Sequence, residues 1–151
     1  MPPPHEYTNL ENLARQLFDT LPGEVQSAIL QKYPEGIKVF ASDNQPVSIA
    51  GAIGDTISLR PTLIKSSGNC PLQVVYHEYA HIYAFATGLD DFGDWLKSAY
   101  AKINSERIAR ELEGKWTKEL MSDEERMKKV VGYIESFPER KLYAFAPLLR
   151  I

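Results

Sequence analysis

The chain has 151 residues, 44% apolar and 25% charged, a balance that excludes a disordered tail and fits one soluble domain with its own core. Its formal net charge of −3 and pI near 5.6 offer no footprint for nucleic acid or an anionic membrane, and no apolar run reaches the length of a bilayer span. The single Cys70 cannot close an internal disulfide. Met1-Pro2-Pro3-Pro4-His5 has neither the basic nor the apolar region of a signal peptide, so a reducing, cytoplasmic setting is expected.

Residues 1–7 read as a disordered, proline-rich lead-in and residues 8–151 as a single domain. From Thr8 the pattern is helical, with Leu10, Leu13, Ala14, Leu17 and Phe18 at spacings of three and four. Leu21-Pro22-Gly23 punctuates it, and a short helix with Val25, Ile29 and Leu30 stops before Pro34-Glu35-Gly36. Three strands follow, over Ile37–Ala41, Val47–Ile53 and Thr56–Leu59, with Gly54-Asp55 as a tight hairpin turn between the last two. Gly51 inside a strand marks a bulge or a close approach of another backbone.

Helix returns after Ser66-Ser67-Gly68-Asn69. Asn69 or Cys70 can cap it, Pro71 suits its first position and Gly88 its stop, so Leu72–Thr87 is predicted helical. A further helix is expected from about Asp94, carrying Trp95, Leu96, Ala99, Tyr100 and Ile103. The charges of Asn104–Lys129 read as a solvated face laced with ion pairs. Ser122-Asp123-Glu124-Glu125 starts a helix with Met127, Val130, Val131 and Ile134, and Pro138 opens a last one with Leu142, Tyr143, Ala146 and Leu149. Helices, then a small mixed sheet, then helices make an α+β fold.

The segment His77-Glu78-Tyr79-Ala80-His81 stands apart. Four residues on a helix put His77 and His81 on one face, one turn apart, as two imidazoles binding one metal require. Glu78 lies about 100° round from His77, within reach of a water at such a metal. Chance matches to H-E-x-x-H are common, so context decides. The surrounding helix is apolar on nearly every side, while Gln73, His77 and His81 form a polar stripe at four-residue steps. A buried helix keeps such a stripe only where something satisfies it. The competing reading is two core histidines bonded to backbone or tyrosine, with Glu78 paired to an arginine. There is no Gly-rich phosphate loop, CxxC pair or G-x-S-x-G elbow to set beside the motif.

On this motif the sequence resembles the zincin metallopeptidases. The resemblance spans about Ile37 to the C-terminus and implies a small mixed sheet before the motif helix, with an edge strand bordering the cleft. Gly51 or the Ile57–Leu59 strand could pair there with an extended peptide. Ala84 and Thr87 stand where metzincins carry Gly and a third His, and the remaining His5 lies in the lead-in. The glutamate-type zincins are therefore the nearer likeness, with a carboxylate third ligand drawn from Asp90, Asp91, Asp94, Glu106, Glu111, Glu113, Glu135 or Glu139. Glu139 is favoured because it would share an apolar helix face with Leu142, Tyr143 and Ala146. Tyr133-Ile134-Glu135-Ser136-Phe137-Pro138-Glu139 is also similar to the region of lethal-factor-like and Pro-Pro-endopeptidase-like zincins in which a tyrosine precedes the ligand glutamate. In spacing it is one residue short. Glu106 is the alternative, since the smallest glutamate zincins take their third ligand soon after the motif.

The resemblance implies a zinc endopeptidase in which His77, His81 and Glu139 hold Zn²⁺. Glu78 would be general base, and Tyr133 or Tyr143 would assist at the oxyanion. Its partner would be a peptide or protein bound in extended form along an edge strand, with no role for nucleic acid or membrane. The other expectation to weigh is a catalytically silent zincin-like module that binds metal or a regulatory partner.

Overall fold

The spacing of Leu10, Leu13, Ala14 and Leu17 buries all four along one face of helix α1 (Pro4–Phe18). The computed structural model describes residues 4–145, and α1 already begins at Pro4, earlier than the expected Thr8. Met1–Pro3 of the proposed lead-in lie outside the described residues. Helix α2 (Gly23–Lys32) buries Val25 and Ile29, while Leu30 turns outward.

Strands β1 (Lys38–Ala41), β2 (Ala50–Ile53) and β3 (Thr56–Leu59) form one mixed sheet in the order β1-β3-β2. β1 runs parallel to β3, and β2 pairs antiparallel with β3 through the expected Gly54-Asp55 turn, with Ile53 opposite Thr56. Alternation sends Val39, Ala41, Ile57 and Leu59 into the core. β2 starts at Ala50 and not at Val47, because residues 43–49 are held as a loop. In that loop the Asp43 carboxylate accepts bonds from the Thr62 backbone N–H, the Thr62 hydroxyl and the Tyr7 hydroxyl. Asp43 thereby caps helix α3 (Pro61–Ser67), which the sequence pattern did not anticipate and which has Pro61 in its first turn.

The two outer edges of the sheet differ. Along β1, Glu11 of α1 accepts the Ala41 N–H at 2.8 Å and Arg15 donates to the Val39 carbonyl at 3.1 Å. Side chains of α1 thus occupy that edge. At the β2 edge, the Arg60 N–H donates to the Ile49 carbonyl, so position 49 is a hydrogen-bonded pair. By antiparallel alternation Ala50 and Ala52 turn their backbone groups outward.

Helix α4 (Pro71–Thr87) crosses the core with Leu72, Val75, Tyr76, Tyr79, Ala80 and Ile82 buried. Gly88 ends it at φ +81°, a left-handed conformation that only glycine adopts without cost. The buried tyrosines keep their hydroxyls satisfied: Tyr79 donates to the Ala14 carbonyl at 2.8 Å, and Tyr76 to the Thr20 carbonyl at 3.2 Å. Arg126 also donates to that carbonyl, tying helix α7 (Glu124–Glu135) to the α1–α2 turn.

The helix expected from Asp94 is divided. α5 (Phe92–Lys97) ends before Ser98, which is extended and whose hydroxyl accepts the Ala101 N–H to start α6 (Ala99–Met121). α7 follows with Asp123 as its cap and Met127, Val130 and Ile134 buried, as the pattern predicts. The last expected helix shrinks to one 3-10 turn, Arg140–Leu142, after which Tyr143 is extended. Phe137, Tyr143 and Phe145 instead pack ring against ring at 5.5–6.4 Å. The aromatic cluster gains more from an extended chain here than a helix would supply. Ala146 and Leu149 lie outside the described residues. No helix among the described residues is long and apolar enough to cross a membrane.

Candidate metal centre

Helix α4 places His77 and His81 one turn apart, their rings edge to face with centroids 4.9 Å apart. Across from them runs α6, whose buried Ser105, Ala109 and Trp116 face inward. This packing brings Glu106 to both imidazoles. Its Oε2 lies 2.8 Å from His77 Nε2 and its Oε1 3.0 Å from His81 Nε2. Seven residues on, nearly two full turns and so back on the same face, Glu113 lies 3.5 Å from His77 Nδ1.

His77, His81 and Glu106 offer three ligand atoms within 4.8 Å of one another. In a tetrahedral zinc site with bonds of about 2.0–2.1 Å, neighbouring ligand atoms are about 3.3 Å apart. Both His–Glu distances come within about half an ångström of that value, so a metal fits with small rotations of three side chains. The Nε2 atoms face the would-be metal, and Glu113 faces His77 Nδ1. With a metal at Nε2, Glu113 would fix the tautomer of the ligating imidazole from its other nitrogen.

Glu78 supplies a second test of fit. It is 5% exposed, and no described residue gives its carboxylate a hydrogen bond. Burial pushes its pKa up to about 7, against the pull of His81 and His77. The carboxyl is not sealed in: Glu78 lines the cleft, from which water or a ligand can reach it. Burial alone would lower the His77 pKa, but Glu106 and Glu113 at its two nitrogens outweigh it and hold the imidazole at about 10. The same contacts to His77 and His81 hold the Glu106 carboxyl far below the usual range, although it is partly buried. Without a metal the cluster is thus held together by ion pairing between Glu106 and the two imidazoles, and a metal would have to displace the proton from His77.

These groups lie in a cleft of about 980 Å³ between α4, α6 and the β2 edge. One side is the loop from Gln45 and strand β2; the other is the α6 stripe of Glu106, Arg110 and Glu113. The expected edge strand is therefore β2, which contains Gly51. β3 is central, with both sides occupied, and cannot take a peptide. Gly51 is there because Val47 folds over it: a Cβ would stand 2.7 Å from Val47 Cγ1.

Two residues expected at this site are elsewhere. Glu139 sits at the start of the 3-10 turn, where both its oxygens accept from Asn9 Nδ2 at 3.0 and 3.1 Å. Its assignment depended on a helix through Ala146; without that helix the carboxylate turns to α1, and Glu106 completes the histidine cluster. Tyr133 is half-buried on α7 against the core, and neither it nor Tyr143 lines the cleft. Of the other carboxylates considered, Glu111 pairs with Arg107 on the outer face of α6. Glu113 joins the site through His77, while Asp90, Asp91 and Glu135 do not line the cleft. Comparisons with family models, with curated proteins and with solved structures give no match to this chain.

Proposed function

We propose that the protein is a zinc-dependent endopeptidase with His77, His81 and Glu106 as ligands and Glu78 as general base. The observation that carries the reading is the pairing of a convergent His–His–Glu set with a buried, unpartnered Glu78 at the wall of a cleft. Two imidazoles and a carboxylate suit zinc, and three protein ligands leave a fourth position open. When bound, the metal would supply Lewis acidity, making a water nucleophilic near neutral pH and polarising a carbonyl.

The remaining work falls to the chain. The outward backbone groups of Ala50 and Ala52 can hold an extended peptide by strand addition, its carbonyl presented to the centre. Glu78 takes the proton from the attacking water and hands it to the leaving amine. Glu113 holds His77 through Nδ1, so the imidazole keeps its orientation while charge changes beside it.

The test compares wild type with Glu78→Gln, both loaded with zinc, on a quenched-fluorescent peptide library. Zinc content should be equal in the two proteins, and hydrolysis should fall by about 10²–10⁴-fold in the variant, the usual contribution of a positioned base. Hydrolysis that survives Glu78→Gln would overturn the reading.

A further inference from the structure

Among the described residues that line the cleft, Arg110 is the only lysine or arginine. It lies between the two carboxylates of the α6 stripe, four residues after Glu106 and three before Glu113, so it faces the same space. Neither carboxylate takes it as an ion-pair partner, because both are turned to the histidines. Its Nε donates to the Glu106 backbone carbonyl at 3.3 Å, a bond that anchors the inner end of the guanidinium. Its two Nη groups have no partner among the described residues. The neighbouring Arg107 is different: it is tied to Glu111 at 2.9 Å and to Asn104 on the outer face.

We propose that Arg110 is the specificity determinant of the cleft and binds an acidic side chain of the peptide held there. The inference rests on the reading of the cleft as a peptide site and adds the substrate class. A guanidinium anchored at Nε and free at both Nη atoms presents the fork that matches a carboxylate in bidentate fashion. Apart from the histidines and carboxylates, the other polar lining residues, such as Asn69 and Gln73, are neutral and would tolerate many side chains. Glu78, Glu106 and Glu113 line the same cleft, so an acidic residue at any position beyond the reach of Arg110 meets repulsion. Recognition is thereby confined to one position.

The experiment uses the full chain loaded with zinc and peptides in which Glu or Gln is scanned through the positions on either side of the cleaved bond. The readout is the Glu-to-Gln ratio of kcat/KM, which cancels differences in folding and metal loading among variants. In wild type the ratio should be about 10 at one position at low ionic strength, the range of a hydrogen bond to a charged group, and should shrink as salt screens it. Arg110→Gln should bring it to about 1, and Arg110→Glu should bring it below 1. A ratio near 1 at every position in wild type, or a preference that survives Arg110→Gln, overturns the acidic subsite and leaves the peptidase reading standing. If no peptide is cleaved, the peptidase reading fails instead. Fluorescence anisotropy of the same peptides on the zinc-loaded protein then decides the subsite. Glu-peptide binding that is lost in Arg110→Gln supports it; equal binding of Glu and Gln peptides, or none, overturns it.

Discussion

Replacing Glu106 by alanine separates the two carboxylates on which the metal site turns. Four-ligand structural zinc sites bind with about 10–16 kcal/mol, or about 3 kcal/mol per ligand. At about 1.4 kcal/mol per decade, loss of Glu106 should weaken zinc binding about 10²-fold. At free zinc one thousand times the wild-type Kd, the metal stabilises the fold by about 4.1 kcal/mol, and a variant weaker by two decades retains about 1.4 kcal/mol. For a chain of this size the difference of about 2.7 kcal/mol lowers the zinc-loaded Tm by about 5–11 °C. Glu139→Ala removes only the two contacts from Asn9. It should cost about 1 kcal/mol, equally with and without zinc, because the lost hydrogen bonds lie far from the cluster. Competition with a chromophoric chelator gives the affinities, and melting curves with zinc and with EDTA give the stabilities. Zinc affinity within threefold of wild type in Glu106→Ala, or a tenfold loss in Glu139→Ala, would refute the assignment.

Other expectations follow from neighbouring contacts. Glu113→Gln keeps the side-chain shape but removes the charge opposite His77 Nδ1, so zinc affinity should fall about 10–100-fold. In the same competition assay that loss should not exceed the one from Glu106→Ala. Gly51→Ala sets a Cβ against Val47 Cγ1 and should cost about 1–3 kcal/mol by urea denaturation. Val47→Ala in the same chain should restore most of it, and a double-mutant cycle with no coupling would refute the contact.

His77, Glu78 and His81 were legible because their geometry is internal to one helix: a spacing of four sets the faces whatever the helix packs against. Glu106 is 25 residues from His81, and its place depends on how α6 docks on α4 after the break at Ser98. The inner face of α6 gave little warning near Glu106, since Ser105 and Ala109 are small and the bulky Trp116 and Leu120 come only in its second half. The outer pairs Arg107–Glu111 and Lys115–Glu119 make the whole segment look solvated. Glu139 sits away from the histidines for a related reason. Its apolar neighbours fit a helical period, but Phe137, Tyr143 and Phe145 satisfy one another without one. Helix α3 escaped notice because seven residues are too few for a period, and its cap comes from Asp43, 19 residues away. The three strands and the α+β class needed only alternation and turn residues, which are local, whereas the parallel pairing of β1 with β3 across β2 in sequence is not.

The unequal edges of the sheet also set how far the protein can polymerise. Two copies joining antiparallel through β2 would form one mixed six-stranded sheet across a two-fold axis, with β1 outermost at both ends. At each end Glu11 already accepts the Ala41 N–H and Arg15 donates to the Val39 carbonyl, so a third copy would have to displace both side chains to add a strand. Removing those caps with Glu11→Ala and Arg15→Ala would turn a terminating contact into a propagating one. Light scattering at high concentration would then report larger oligomers than those of wild type.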